Sequence, residues 1–268
     1  MPLFQRAVKE SPVDEIEYYN RAKNYLLSFD PVSEDMLEAH ITEWKHRKPK
    51  TIKELFKAFL LHAQNRQGMP NSIGDIEKLS KVLFEFDHIK VNNEYDGWEN
   101  IFDAIIESGY NPPGRMIKSN SKSHWVVYCK AISSIAEFMA AYKSLGEFQK
   151  FVDGFLTNEQ SKLALPLLLS EEIFGFGFAL ACDFLKENVS PEFIKPDTHM
   201  NEIAQGLGIT VSTSKYRIFK DVEAYCGRIN VLPYAVDKVF WLVGSGNFYL
   251  SGVRVNTSKK QFIAEIRG

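Results

Sequence analysis

Two glycines one residue apart, Gly175 and Gly177, interrupt the run from Leu163 to Met200, LALPLLLSEEIFGFGFALACDFLKENVSPEFIKPDTHM. Glycine takes positive φ without steric cost, so the pair permits a tight turn and a close backbone approach to another group. A helical segment, Phe178-Ala-Leu-Ala-Cys182, begins at once after the turn. Its first amides have no acceptor within the helix, and the helix dipole adds partial positive charge there. Together these suit a phosphate group. Eighteen residues beyond Ala179 stands Asp197, within Lys195-Pro-Asp-Thr-His199. Pro196 keeps the backbone before it extended or turning. Asp197 falls where a further helix should start, and taken alone it is an N-cap. The glycines, taken alone, are a helix–helix turn.

The register of Ile173-Phe-Gly-Phe-Gly-Phe-Ala-Leu-Ala181 and of Pro196-Asp-Thr-His-Met200 resembles two motifs of one family. The first is similar to the LPGVGxKTA hairpin, and the second to VDTHV, of the endonuclease III-like helix-hairpin-helix DNA glycosylases. Leu60-Leu-His-Ala-Gln64 resembles the LLSAQ helix end of endonuclease III. The motifs span a small part of the chain, and the remainder agrees in being helical. The resemblance implies an all-α, two-lobed HhH-GPD fold. It implies base excision from double-stranded DNA carrying a damaged or mispaired base. Asp197 would be the catalytic carboxylate, stabilising an oxocarbenium-like sugar and activating water. Backbone at Gly175, Phe176, Gly177, Phe178 and Ala179 would hold a DNA phosphate. The carbonyls of Glu171, Ile173 and Phe176 would bind a monovalent cation. Gln64 would probe or fill the gap left by the flipped nucleotide, since a stacked base is out of reach.

The departures from the family pattern are as specific. Members with lyase activity carry lysine where this chain has Ala179, so no Schiff base can form there. The expected enzyme is therefore monofunctional, hydrolysing the base off and leaving an abasic site. Phe174 replaces the family's hairpin proline. Cys129, Cys182 and Cys226 lie far apart with no CxxC, so neither an iron–sulfur cluster nor a disulfide framework is expected.

The elements that must position these residues are helical. Apolar residues recur at three-to-four spacing over 13–28, 33–44, 51–63 and 73–86. Helical segments follow at 95–108, 122–143, 145–156, 159–169, 178–187, 198–206, 213–228 and 233–244. Thr51 and Glu54 form a capping box. After Gly246, FYLSGVRV and KQFIAEI, separated by a turn at 256–259, suggest a short β-hairpin. The expected lobes are 1–50 with 190–268, and 51–189, the latter ending in the helix-hairpin-helix at about 163–187. No acidic residue occurs between Glu107 and Glu137, a stretch bearing Arg115, Lys118, Lys122 and Lys130. The first three of these cations are candidate phosphate contacts. Trp125, Tyr128, Phe176 and Phe178 read as core aromatics, any of which could instead stack on a flipped base.

Composition bounds the rest. The chain has 268 residues, 45% hydrophobic and 25% charged, with net charge −2. That balance gives no bulk positive charge for non-specific nucleic-acid binding. No apolar run approaches the ~20 residues of a membrane span. The N-terminus, MPLFQRAVKESPVDEIE, is polar and unlike a signal peptide. An intracellular monomer without membrane contact is expected. Two rivals to the glycosylase share the helical pattern: a non-catalytic helix-hairpin-helix DNA-binding protein and a helical protein-interaction domain.

Overall fold

Many helix starts in this chain are set by the side chain that precedes them. In the computed structural model, which describes residues 15–65 and 68–267, Ser33, Thr51, Asp87, Ser123, Ser144, Asn158 and Asp197 each accept a hydrogen bond from an amide of the following first turn. The side chain of Glu54 also accepts from the Lys50 amide at 2.7 Å, and that of Glu147 from the Lys143 amide at 2.7 Å. These are capping boxes closed one residue further out than the usual form.

Among the described residues the fold is all-α with one hairpin of two-residue strands. Helices α1 (Glu15–Leu27) and α2 (Glu34–Thr42) open the chain. Next come α3 (Trp44–Arg47), α4 (Ile52–Gln64), α5 (Pro70–Ile73), α6 (His88–Glu94) and α7 (Trp98–Glu107). They are followed by α8 (His124–Met139), α9 (Leu145–Phe155), α10 (Glu159–Glu172) and α11 (Phe178–Asn188). The chain continues with α12 (Thr198–Gly206), α13 (Lys215–Ile229), α14 (Pro233–Ser245), β1 (Asn247–Phe248), β2 (Val253–Arg254) and α15 (Lys259–Arg267). No helix among the described residues is long and apolar enough to cross a membrane. The N-terminal residues that bear on a leader lie outside the described residues.

Two compact units result, one from residues up to Glu43 and from Pro196 onward, the other from Trp44 to Lys195. In the first, α14 is buried on nearly every side, from Tyr234 to Val243, against α1, α2, α12 and α13. Lys238 of α14 is buried too, with its ammonium 3.4 Å from Glu43 and 2.8 Å from the Tyr249 hydroxyl. In the second unit, α8 is central and packs on α4, α6, α7 and α10. Trp125, Tyr128 and Ile132 of α8 are fully buried, and the Tyr128 hydroxyl donates to the Leu60 carbonyl at 3.3 Å. Phe59 of α4 stacks on Phe184 of α11 with centroids 3.7 Å apart, which locks the hairpin's second helix to α4.

Two expectations from periodicity are corrected. Residues 73–86 are not a helix. A 3-10 turn at Ile76–Leu79 leads into Phe84, Glu85 and Phe86, all left-handed at φ 50, 54 and 58. Each such residue costs about 1–2 kcal/mol. The amide of Glu85 bonds to the Ser80 carbonyl at 2.8 Å, and Leu83 and Phe86 are buried, which offsets that cost. The apolar spacing marked burial there rather than helix. Likewise the β-hairpin lies wholly within Asn247–Arg254, and KQFIAEI forms α15. Helix α15 puts Phe262 and Ile266, an i, i+4 pair on one helical face, into the core.

Gly244 of α14 faces His199 of α12, two residues beyond Asp197, and a Cβ there would collide with the His199 ring. Gly244→Ala should therefore destabilise the protein by about 1–3 kcal/mol, as overpacking does. Chemical denaturation measures this. An unchanged midpoint would mean that His199 swings aside freely.

Candidate functional site

The hairpin begins where α10 ends. Ile173 leaves the helix with φ −106 and ψ 114, and its amide bonds to the Leu169 carbonyl at 3.2 Å. Phe174 points outward, 45% exposed, while its amide donates to the Ser134 hydroxyl of α8 at 2.8 Å. Gly175 then takes φ 79, the left-handed conformation that favours glycine. Phe176 turns inward and is buried, and its amide donates to the Ile173 carbonyl at 3.1 Å. Gly177 is the N-cap of α11, extended at φ −78 and ψ 160, with no side chain to cap. A Cβ at Gly177 would meet nothing within 4 Å, so the start of α11 is open to another molecule. Phe178 and Ala179 in this first turn are part-exposed. The carbonyls of Glu171 and Phe176 accept no hydrogen bond among the described residues, and Ile173 accepts one.

Asp197 opens α12, as its position before a helical segment indicated. Its Oδ1 accepts from the Met200 amide at 3.0 Å. Its Oδ2 has no protein partner among the described residues, and the side chain is part-exposed. The carboxylate therefore does both things available to it: one oxygen fixes the helix start, and the other stays uncommitted. Beside it, His199 is half-buried and its Nδ1 has no hydrogen-bond partner.

The other candidates divide. Gln64 is 8% exposed, and its Nε2 donates to the Gly74 carbonyl at 2.8 Å, while its Oε1 is buried without a partner. Arg115, Lys118 and Lys122 are exposed, as phosphate contacts require, but Lys118 is paired with Asp103. Trp125 and Tyr128 are fully buried and so offer no face for a flipped base. The three cysteines are buried and form no disulfide among the described residues, and burial pushes the Cys129 thiol well up.

A charged cluster behind the hairpin went unread in the sequence. Asp183 of α11 is 6% exposed. Its Oδ2 lies 2.9 Å from the Lys195 ammonium and 3.9 Å from His62 Nε2, and its Oδ1 lies 3.6 Å from Lys186. Lys186 also meets Glu187 at 3.1 Å, and Glu187 meets Arg47 of α3 at 3.1 Å. Burial acts to raise the Asp183 carboxyl, but the Lys195 and Lys186 charges and His62 outweigh it and hold it well below the usual carboxylate range. Burial lowers His62, against the pull of Asp183. In sequence, Asp183, Lys186 and Glu187 look like the solvated face of an amphipathic helix. Nothing local marks all of 181–187 as buried. Lys130, read in the sequence only as one of the basic stretch, is held 5.2 Å from the Trp98 ring and 5.4 Å from the Phe174 ring at the hairpin.

No family model matches the chain, and no curated protein matches it. Among solved structures the chain is similar to the 8-oxoguanine glycosylase/lyase of Methanocaldococcus jannaschii, in complex with a 15mer DNA containing 8-oxoguanine. The TM-score is 0.48 at 16% sequence identity, over 90% of this chain and 100% of that one.

The cluster makes a stability prediction. A carboxyl depressed in the folded state contributes stability above its unfolded pKa and loses it as pH falls, and the same sign holds for the lowered His62. The wild type should weaken steadily on acidification from neutrality through the carboxylate range. Asp183→Asn should cost about 3–5 kcal/mol at neutral pH, because it strands buried cations. The variant should also lose stability less steeply with acid. Urea midpoints across pH measure both, and parallel slopes would show that the Asp183 charge is not what the acid removes.

Proposed function

We propose that this protein is a monofunctional DNA glycosylase of the helix-hairpin-helix kind, hydrolysing the N-glycosidic bond of a flipped damaged or mispaired base. The observation that carries the proposal is Asp197, whose Oδ1 caps α12 while Oδ2 remains unpartnered. A carboxylate so held keeps one fixed orientation. Its spare oxygen can stabilise positive charge developing on a sugar ring, or take a proton from water.

In the proposed reaction the bond from C1′ to the base nitrogen breaks, and its electron pair leaves with the base. Water oxygen then bonds to C1′, and its proton passes to Asp197 Oδ2 and on to solvent. The hairpin supports the strand from outside the chemistry. Gly175, Gly177, Phe178 and Ala179 would bring backbone amides to one phosphate, with Phe176, whose amide is held by the Ile173 carbonyl, fixing the bend between them, and the start of α11, which no side chain caps, favours the anion. The carbonyls of Glu171, Ile173 and Phe176, with their spare acceptor capacity, would hold a monovalent cation and add charge there. Arg115 and Lys122, and Lys118 in competition with Asp103, would meet further phosphates. Gln64 would have to release the Gly74 carbonyl to enter the duplex. Ala179 offers no amine, so the product is an intact abasic strand.

Duplexes carrying a panel of lesions and mismatches, assayed for released base, test the proposal. At least one should lose its base. Asp197→Asn should slow that release by about 10²–10⁴-fold while leaving duplex affinity near wild type. Borohydride should trap no covalent adduct. Duplex binding without release from any substrate would make this a non-catalytic DNA-binding protein. No binding even at low salt would leave a helical protein-interaction domain.

A further inference from the structure

The second unit carries an open cavity of about 430 Å³ at the base of the hairpin, between the end of α8, α9 and the end of α10. Three half-buried rings line it. Phe138 and Tyr142 meet at 5.7 Å and 61°, Phe138 and Phe151 at 6.1 Å and 71°, Tyr142 and Phe151 at 5.3 Å and 50°. Rings inclined in this way present π faces in different directions around one corner. Glu137 and Glu172, both exposed, line the same cavity, and neither forms an ion pair among the described residues. Burial and then the Glu172 charge push the Tyr142 hydroxyl up, so that carboxylate lies within electrostatic reach of the ring's polar end.

We propose that this cavity is the docking site for an arginine side chain of a partner protein. Aromatic faces attract a cation through the ring quadrupole, and more strongly where water is displaced. Two unneutralised carboxylates beside those faces leave negative charge that a bound cation would satisfy. A guanidinium is planar, weakly hydrated and able to meet a carboxylate through two parallel hydrogen bonds while stacking on a ring. An ammonium can do only part of this. The same carboxylates repel a nucleic-acid backbone, so the cavity is unfit for DNA although the hairpin starts one residue beyond Glu172. The Ser134 hydroxyl, which also lines the cavity, holds the Phe174 amide. The proposal draws on different residues from the glycosylase reaction and stands whether or not a base is released.

The test uses an acetylated, amidated Gly-Gly-Arg-Gly-Gly peptide and follows aromatic carbon–proton resonances of the full chain. Saturable shifts of Phe138, Tyr142 and Phe151 are expected by about 10 mM peptide. The isosteric citrulline peptide should bind about tenfold more weakly. The double variant Glu137→Gln with Glu172→Gln should lose a similar factor, and because both side chains are exposed the fold should survive. Phe151→Leu should weaken binding too. Absence of saturable shifts, equal binding of citrulline, equal binding of the lysine peptide, or unchanged affinity in the double glutamine variant would each overturn the proposal.

Discussion

A helix cannot begin without leaving its first amides unpaired, and this chain meets that constraint in opposite ways at two starts twenty residues apart. At Thr198 the preceding residue is an aspartate, which turns a carboxylate back onto the orphan amides. At Phe178 the preceding residue is a glycine, which turns nothing back and leaves the dipole's positive end for an outside anion. The proposed chemistry follows from that contrast. One start offers positive potential without a side chain in the way. The other holds a negative group rigidly and commits only half of it.

The scaffold around the hairpin is matched to this arrangement. Phe176 faces the core while Phe174 faces out, so the bend is anchored by one ring. The Phe59–Phe184 stack and the Ser134 bond fix its two sides. Behind it, Asp183 is buried with cations on both oxygens. A buried ion cluster of this sort is a weak source of stability compared with apolar packing, but it is strict about geometry, because stranding any member is costly. Lys195, one of its members, is the residue immediately before Pro196 and Asp197.

The sequence disclosed the helices well because their caps are encoded locally. Ser33, Thr51, Asn158 and Asp197 each precede a run of helical spacing, and all four cap. It misled at 73–86, where the spacing of Ile76, Leu79, Val82, Leu83 and Phe86 is that of a helix but their burial is achieved by a left-handed turn. Such turns depend on tertiary contacts and have no signature in apolar spacing. It misled again at KQFIAEI, too short a window to separate strand from helix. The glycine bend and the aspartate were legible as a pair. The Asp183 cluster was not, because it joins α11 to His62 and Arg47 far back in the chain, and the aromatic cavity was not, because apolar spacing does not show which rings of the successive helices α8, α9 and α10 meet.

The proposed function rests on hydrolysis at C1′ by water that Asp197 assists. A single-turnover reaction in oxygen-18 water, on whichever substrate loses its base, reads this directly by mass spectrometry of the strand. One labelled oxygen on the abasic sugar, an unbroken strand, and almost no label with Asp197→Asn are expected. A broken strand bearing an unsaturated aldehyde, or label appearing as fast without the carboxylate, would contradict it.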